Sequence, residues 1–193
     1  MRLLLASILC AALLAVTSAA PVPKDASKPV LYFPTQVGAK WVYKEGDSEV
    51  VYRITSVAQR GEVARVTYGK EEGEKFVSEY VMVVSRNGLV MESDGLDGPL
   101  SVLKLPVTPS QTWTEECLSA LLGKGKATFT AEAKDVVVPA GAYRTIRVRS
   151  VVSMERLEKE VIHEIWYAPE VGAVKEAYGH IVRELKSFTP AKP

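Results

Sequence analysis

The stretch LYFPTQVGAKWVY, residues 31–43, contains the features that decide the fold class. Pro34 and Gly38 interrupt its first half, and Trp41-Val42-Tyr43 then begins a β-prone segment. This order of residues is typical of a turn followed by a strand. We therefore predict that the folded domain begins near residue 30 and that its first strand starts at about Trp41.

The chain beyond this stretch continues with the same two-residue period. Val50, Tyr52 and Ile54 alternate with more polar neighbours, as in a strand with one buried face. Arg86-Asn87-Gly88 supplies the left-handed positions of a tight hairpin. Turn signals recur roughly every 8 to 12 residues, which predicts about ten strands. The fold class is therefore mainly β: a strongly curved antiparallel sheet, an incomplete or closed barrel, preceded by an N-terminal signal helix.

The first residues have the pattern of a signal peptide. Arg2 precedes the apolar run Leu3–Val16, and small residues around Ala19 form a cleavage site. The apolar run is short for a membrane span, which needs about 20 residues. We predict cleavage after Ala19, export to the periplasm or the medium, and membrane contact only through an uncleaved signal segment. The predicted segments are 1–19 (signal peptide), 20–29 (flexible lead-in), 30–188 (single antiparallel β domain) and 189–193 (disordered tail).

Composition limits the possible partners. The 193 residues include 47% hydrophobic residues, enough for a core, and the 24 basic side chains nearly balance the 23 acidic ones. Such a balance provides no net field to attract nucleic acid, so we predict no nucleic-acid partner. Removal of the signal peptide leaves Cys117 as the one cysteine, which excludes an internal disulfide. Cys117 is then a buried apolar side chain, a free thiol or an intermolecular bridge.

The residues of common catalytic and metal sites do not occur in a recognisable arrangement. His163 and His180 lack metal-ligand spacing, and Gly123-Lys124-Gly125 lacks the spacing of a phosphate-binding loop. No Gly-x-Ser-x-Gly elbow is present. His163 lies in a face with Val161 and Ile165, which favours a core histidine. We predict no catalytic residues, no metal, no cofactor and no enzymatic activity.

Three motifs carry a resemblance to a known group of proteins. They are YFPxxxGxxWxY at 32–43, VPAGxY at 138–143 and WYAPxVG at 166–172. Together they resemble the pattern of exported bacterial β-rich proteins grouped as domains of unknown function, over the range from Leu31 to about Phe188. The resemblance implies the curved, incomplete-barrel sheet of periplasmic lipoprotein carriers. It implies no catalytic residue, because the shared positions are turn and core residues.

Two functions remain open at this point. The first is a structural or protein-interaction module of the cell envelope or secreted fraction, which contacts another envelope protein. The alternative is a carrier of a lipid or other apolar ligand in the concave face of the sheet. In that alternative, aromatic side chains line the ligand site and leucines of a long connection, 93–110, cover it as a lid; otherwise the aromatic residues are core. The lining candidates are Trp41, Tyr43, Trp113, Trp166 and Tyr167, and the lid candidates are Leu96, Leu100, Leu103 and Leu105.

Overall fold

The computed structural model describes residues 30–73, 75–92 and 97–192. The signal peptide 1–19 and the lead-in 20–29 predicted from the sequence lie outside these ranges. The described residues form these strands: β1 (Lys40–Glu45), β2 (Ser48–Arg60), β3 (Val63–Glu72), β4 (Lys75–Ser85), β5 (Gly88–Glu92), β6 (Pro99–Lys104), β7 (Gln111–Ser119), β8 (Gly123–Ala133), β9 (Val136–Val138), β10 (Gly141–Tyr143), β11 (Ile146–Met154), β12 (Val161–Ala168), β13 (Gly172–Tyr178) and β14 (Ile181–Thr189).

Twelve of these strands form one antiparallel sheet. Their order is β6-β5-β4-β3-β2-β1-β14-β13-β12-β11-β8-β7, so most neighbours are consecutive hairpin strands and β1 pairs with β14. Strands β9 and β10 form a separate hairpin between β8 and β11. The mainly-β prediction is confirmed: the sheet curves until it is nearly closed into a barrel. In the described part of the chain, no helix is long and apolar enough to cross a membrane.

The two edge strands, β6 and β7, meet at a seam that side chains bridge. Trp113 donates its indole N–H to the Ser101 carbonyl at 2.8 Å, and Glu115 accepts the Ser101 backbone N–H at 2.8 Å. Lys104 pairs with Glu115 at 3.1 Å. Burial raises the pKa of Glu115, but the hydrogen bonds from Ser101 and the Lys104 ammonium outweigh burial and lower the pKa below its ordinary value. Both backbone groups of Ser101 are thus satisfied by β7 side chains.

Strand β6 lies within a segment that the sequence had indicated as one long connection, 93–110. That interpretation is wrong over Pro99–Lys104, which pairs with β5. Pro99 had indicated a loop, but it is the first residue of the edge strand β6. A proline is tolerated at that position, because its missing N–H is not needed for pairing. Leu100 and Leu103 consequently lie in the core, with 6% and 1% of their surface exposed.

The barrel has two ends of different character. We call the end where the β1–β2 and β13–β14 hairpins turn the Arg183 end, and the opposite end the Phe33 end. The segment 31–39 closes the Phe33 end: its Phe33 ring lies 5.3 Å from Trp41 and 5.2 Å from Tyr68 between centroids. The β9–β10 hairpin is held against β14 there, with the Ala140 N–H donating to the Leu185 carbonyl at 2.9 Å.

Hydrogen bonds to backbone carbonyls connect the segment 31–41 to the β12–β13 turn at the Phe33 end. The Glu170 N–H donates to the Leu31 carbonyl at 2.7 Å, and Trp41 donates its indole N–H to the Val171 carbonyl at 2.7 Å. Gly172 has φ 89°, and a Cβ there would lie 3.0 Å from the Phe33 ring. The motif residues at 32–43 and 166–172 therefore pack against each other. Glycine suits position 172, because a side chain there would strain the backbone and crowd the Phe33 ring.

Candidate functional site

Three of the predicted lining residues lie inside the barrel and are buried. Trp41, Tyr43 and Tyr167 expose 2%, 4% and 3% of their surface. Tyr43 donates its hydroxyl to the Ala173 carbonyl at 2.6 Å, in addition to the Trp41 bond to Val171. These polar atoms are used within the protein, as expected for buried aromatic residues in a core.

The other two tryptophans lie apart from these three. Trp113 is at the seam and stacks on Phe129, with 5.2 Å between ring centroids. Trp166 pairs with Arg147 and Lys175 across neighbouring strands, so it lies on the opposite face of β12 from Tyr167. The Lys175 ammonium is 5.7 Å from the Trp166 ring centroid. The structure therefore does not bring the five aromatic candidates to one surface.

The proposed lid residues are distributed between strand and loop. Leu100 and Leu103 belong to β6 and face the core, and Leu105 follows β6, partly buried and packed against the core. Leu96 lies outside the described residues. Cys117 is buried, with its sulfur 3.5 Å from the Met154 sulfur, and burial raises the pKa of its thiol. A buried thiol with a raised pKa is a poor nucleophile.

The Arg183 end contains an ion triad that local sequence patterns did not indicate. Arg183 donates to Glu45 from Nε at 2.9 Å and from Nη2 at 2.7 Å, and to Glu176 from Nη1 at 3.0 Å. The three side chains are 22%, 32% and 25% exposed, respectively. Burial lowers the pKa of the Arg183 guanidinium, but the two carboxylates outweigh it and raise the pKa above its ordinary value. Arg183 therefore stays charged.

Strand periodicity places the triad on the inner face. Glu176 follows the fully buried Val174 by two residues, and Arg183 precedes the fully buried Leu185 by two. Antiparallel register then sets Arg183 opposite both Glu45 and Glu176 on the neighbouring strands. Directly opposed residues on one face lie close enough for such contacts. The triad is thus a consequence of pairing among β1, β14 and β13.

Tyrosine rings surround the inner side of the triad. The Arg183 guanidinium lies 5.5 Å from the Tyr52 ring centroid, a cation–π distance, and Tyr52 is 5.9 Å from Tyr43. Tyr68 and Tyr80 stack at 5.4 Å beside them. Burial raises the pKa of Tyr52 to about 12, with Arg183 opposing the shift. Burial, followed by the charge of Glu176, also raises the pKa values of Tyr43 and Tyr68, so these phenols are neutral at ordinary pH.

A cavity of about 190 Å³ lies beside the triad. Its lining residues are His163, Glu176, Tyr178, Ile181 and Arg183. The His163 and Tyr178 rings meet edge to face at 5.8 Å. Burial lowers the pKa of His163, with Glu176 partly opposing, so the imidazole is neutral near pH 7. At about 30 Å³ per water molecule, the volume equals about six waters, enough for one side chain or a small polar group.

The ion triad has an excess of negative charge. The carboxylates of Glu45 and Glu176 have two negative charges and the Arg183 guanidinium has one positive charge, so the triad has a formal net charge of one negative. His163, expected in the core, instead lines the cavity at intermediate exposure. Among residues 30–73, 75–92 and 97–192, no cluster of three or more His, Cys, Asp or Glu side chains has the arrangement of a metal site. The arrangement can hold a ligand by hydrogen bonds and charge.

Exposed apolar side chains concentrate around this end. Twelve large apolar residues are exposed in the described part of the chain, and eight lie beside hairpin turns at the Arg183 end. The eight are Phe76, Val77, Leu118, Leu121, Ile162, Tyr178, Ile181 and Val182. Two of them, Tyr178 and Ile181, line the cavity, and the other six lie on hairpins around the same end. Scattered exposed apolar residues are ordinary, but apolar side chains at the mouth of a cavity are typical of an interaction surface.

Fold and site together define a class: an antiparallel barrel, nearly closed, with one packed end and one polar, cavity-bearing end. Two solved structures share this fold. One is a candidate exported protein with YmcC-like fold from Bacteroides fragilis, with a TM-score of 0.53 and 13% identity over 83% of this chain and 99% of that one. The other is a candidate lipoprotein from Parabacteroides distasonis, with a TM-score of 0.51 and 12% identity over 84% of this chain and 100% of that one.

No protein-family model and no curated protein matches the sequence. At 12–13% identity, the likeness to the two solved structures extends to the fold alone. The expected curved, incomplete barrel is therefore confirmed, whereas the three sequence motifs as marks of a family stay a prediction.

Proposed function

We propose that this protein is a non-catalytic, exported protein-interaction module that docks on an envelope or secreted partner through its Arg183 end. The observation that carries the proposal is that exposed apolar side chains lie at the Arg183 end and that two of them, Tyr178 and Ile181, line its cavity. Protein interfaces combine such apolar contacts with a few buried polar anchors. The signal-peptide pattern at 1–19 and the fold shared with a candidate exported protein support export.

Cavity size favours a partner protein over a free small molecule at this site. Sites for drug-sized ligands enclose about 300 to 1,000 Å³, whereas the described cavity holds about 190 Å³. A single inserted side chain fits that volume, and the surrounding apolar surface then meets the rest of the partner. Two members of the ion triad, Glu176 and Arg183, line the cavity and provide polar contacts for the inserted group.

Site-specific photocrosslinking in the organism of origin tests the proposal. A benzophenone amino acid replaces Tyr178 (49% exposed) at the Arg183 end in one variant, and the more exposed Val137 (76%) at the other end in a control variant. We expect one discrete protein adduct from position 178, no such adduct from position 137, and loss of the adduct when Ile181→Asn is added. Equal adducts from both positions, or an adduct that Ile181→Asn leaves unchanged, would contradict docking through the Arg183 end.

The same samples test the lipid-carrier alternative. Native mass spectrometry of protein purified from its own host reports any bound lipid directly. We expect the mass of the mature polypeptide alone. A stoichiometric lipid adduct, or a lipid crosslinked at position 178, would contradict the interaction module and support the function of a carrier of apolar ligands.

A further inference from the structure

We infer that the Arg183-end cavity receives a cation on an aliphatic stem, specifically a lysine side chain of the docking partner, with Glu176 as its counter-ion. This inference rests on the proposed docking function and adds the chemistry that the docking site recognises. It follows from three properties of the cavity: its charge, its lining and its size.

The charge of the site disfavours an anion. Arg183 already has a carboxylate on each side, with Glu45 at 2.7 Å and Glu176 at 3.0 Å. Three of the five guanidinium N–H groups donate to these carboxylates, and an anion that approached the other two would meet the repulsion of both. A cation is instead attracted by the triad as a whole, in which two carboxylates outnumber one guanidinium, and it reaches Glu176, the carboxylate that lines the cavity. Arg183 occupies Oε2 of Glu176, one of its two acceptor oxygens. An ammonium provides up to three donors for such a carboxylate.

Groups at the cavity or close to it on the neighbouring strands are consistent with this polarity. His163 on β12 is neutral near pH 7, because burial lowers its pKa. Tyr52 on β2 is a neutral phenol that presents its ring to Arg183. The nearby pair Lys175–Glu184, at 2.7 Å, occupies the register positions adjacent to Glu176 and Arg183 and so lies on the outer face of the sheet. Lys175 therefore does not neutralise the cavity.

The lining suits an aliphatic stem that ends in a charge. Ile181 supplies an apolar wall, while the Tyr178 and His163 rings form a corner of two aromatic groups. Methylene groups pack on the isoleucine and the ring faces, and the charged head reaches the carboxylate. A lysine side chain has about five non-hydrogen atoms beyond its Cα, which matches a cavity with the volume of about six waters.

NMR titration of the folded protein with three small probes tests the inference. The probes are the N-acetyl, N-methylamide derivatives of lysine, norleucine and glutamate, which share a backbone and differ in the side-chain head. We expect the lysine probe to produce saturable shifts of the Tyr178, Ile181 and Arg183 amides. The norleucine probe should bind at least about tenfold more weakly, because it lacks the charged hydrogen bond. Tighter binding of the glutamate probe, or no saturable shift with lysine, would overturn the inference.

A matched pair of variants separates a specific counter-ion from a general charge effect. Glu176→Gln removes a carboxylate that lines the cavity but keeps an oxygen acceptor for Arg183, whereas Glu184→Gln removes one from the outer face. We expect Glu176→Gln to weaken the lysine probe about tenfold and Glu184→Gln to leave it unchanged. Equal weakening by both would overturn the role of Glu176. Dispersed amide spectra of both variants verify that they fold.

The two proposals fail in distinguishable ways. If the lysine probe does not bind but the crosslink at position 178 persists, the cation inference is wrong and docking stands. If the lysine probe binds but no protein crosslinks at position 178, the docking function is wrong and the chemistry of the cavity stands.

Discussion

The Phe33 end and the Arg183 end of the barrel use the same inner face in opposite ways. At the Phe33 end, the rings of Phe33, Trp41 and Tyr68 pack together and the indole N–H bonds to a backbone carbonyl. At the Arg183 end, the inner positions carry a guanidinium and two carboxylates beside a cavity. Dense aromatic packing stabilises the fold, whereas paired charges at partial exposure contribute little net stability. The comparison indicates that the Phe33 end contributes more to the stability of the barrel, whereas the Arg183 end carries the proposed binding site.

The largest effect is expected at the Phe33 end. Trp41→Ala should lower the free energy of unfolding by about 3 to 5 kcal/mol, because it removes a large buried ring and leaves a cavity. Urea denaturation of the purified variant measures the change. Trp41→Phe, which keeps a ring but loses the N–H donor to Val171, should cost clearly less. A loss below about 1 kcal/mol for Trp41→Ala would show that this end does not carry the stability.

A smaller loss is expected when the ion triad is broken. Arg183→Met should reduce the free energy of unfolding by about 1 to 2 kcal/mol, because Glu45 and Glu176 then lack their shared partner. The matched control is Lys186→Met, which removes a more exposed cation of the same strand, paired with Glu49. The control should change stability by less than about 0.5 kcal/mol. If Arg183→Met lowered the free energy of unfolding as much as Trp41→Ala, the two ends would not differ in their contribution to stability.

The pH dependence of stability should report on the Arg183 end. Burial lowers the pKa of His163 in the folded protein below its ordinary value of 6.5, so the unfolded chain binds a proton first as pH falls. The contribution of His163 is therefore fully present above about pH 6.5 and is lost as pH falls toward the lower, folded pKa. His163→Gln should flatten the decline of stability between about pH 7 and 5, measured by denaturation at each pH, whereas replacement of the exposed His180 should not. Identical profiles for both variants would contradict the assignment.

The smallest effect is expected for the apolar residues exposed at the Arg183 end. Tyr178→Ser removes a ring that is 49% exposed, and it should change the free energy of unfolding by less than about 0.5 kcal/mol. Thermal or urea unfolding is sufficient to measure this. If the loss exceeds about 1.5 kcal/mol, Tyr178 is part of the fold and not a surface kept for a partner.

Much of the fold could be predicted because it depends on local patterns. The two-residue period of Val50, Tyr52 and Ile54 placed all three in the core, where the structure buries them. Arg86-Asn87-Gly88 predicted the β4–β5 hairpin, and Gly88 adopts φ 130°. Strand β6 could not be predicted this way, because Pro99 and the glycines before it indicate a loop in any local reading. Its position depends on pairing with β5, a tertiary effect that overrides local preference.

The candidate site could not be predicted from local sequence patterns, because its residues come together only through strand pairing. Glu45 and Arg183 are 138 residues apart and meet because β1 pairs with β14. Each residue alone is an ordinary charged residue in a strand. One signal was present: Glu176 and Arg183 each lie two positions from an apolar residue, Val174 and Leu185, on a face that the alternation assigns to the interior. A charged residue at an inward-facing position of a strand is unusual and indicates a candidate functional site.

The seam between β6 and β7 has a consequence for solubility. An open sheet of twelve strands has two edges, and exposed edges promote pairing between molecules and fibril growth. Trp113 and Glu115 occupy the carbonyl and N–H of Ser101, which would otherwise be available to a strand of another molecule. The two hydrogen bonds thus leave one fewer pairing site on the β6 edge for a strand of another molecule, without the full ladder that a closed barrel requires.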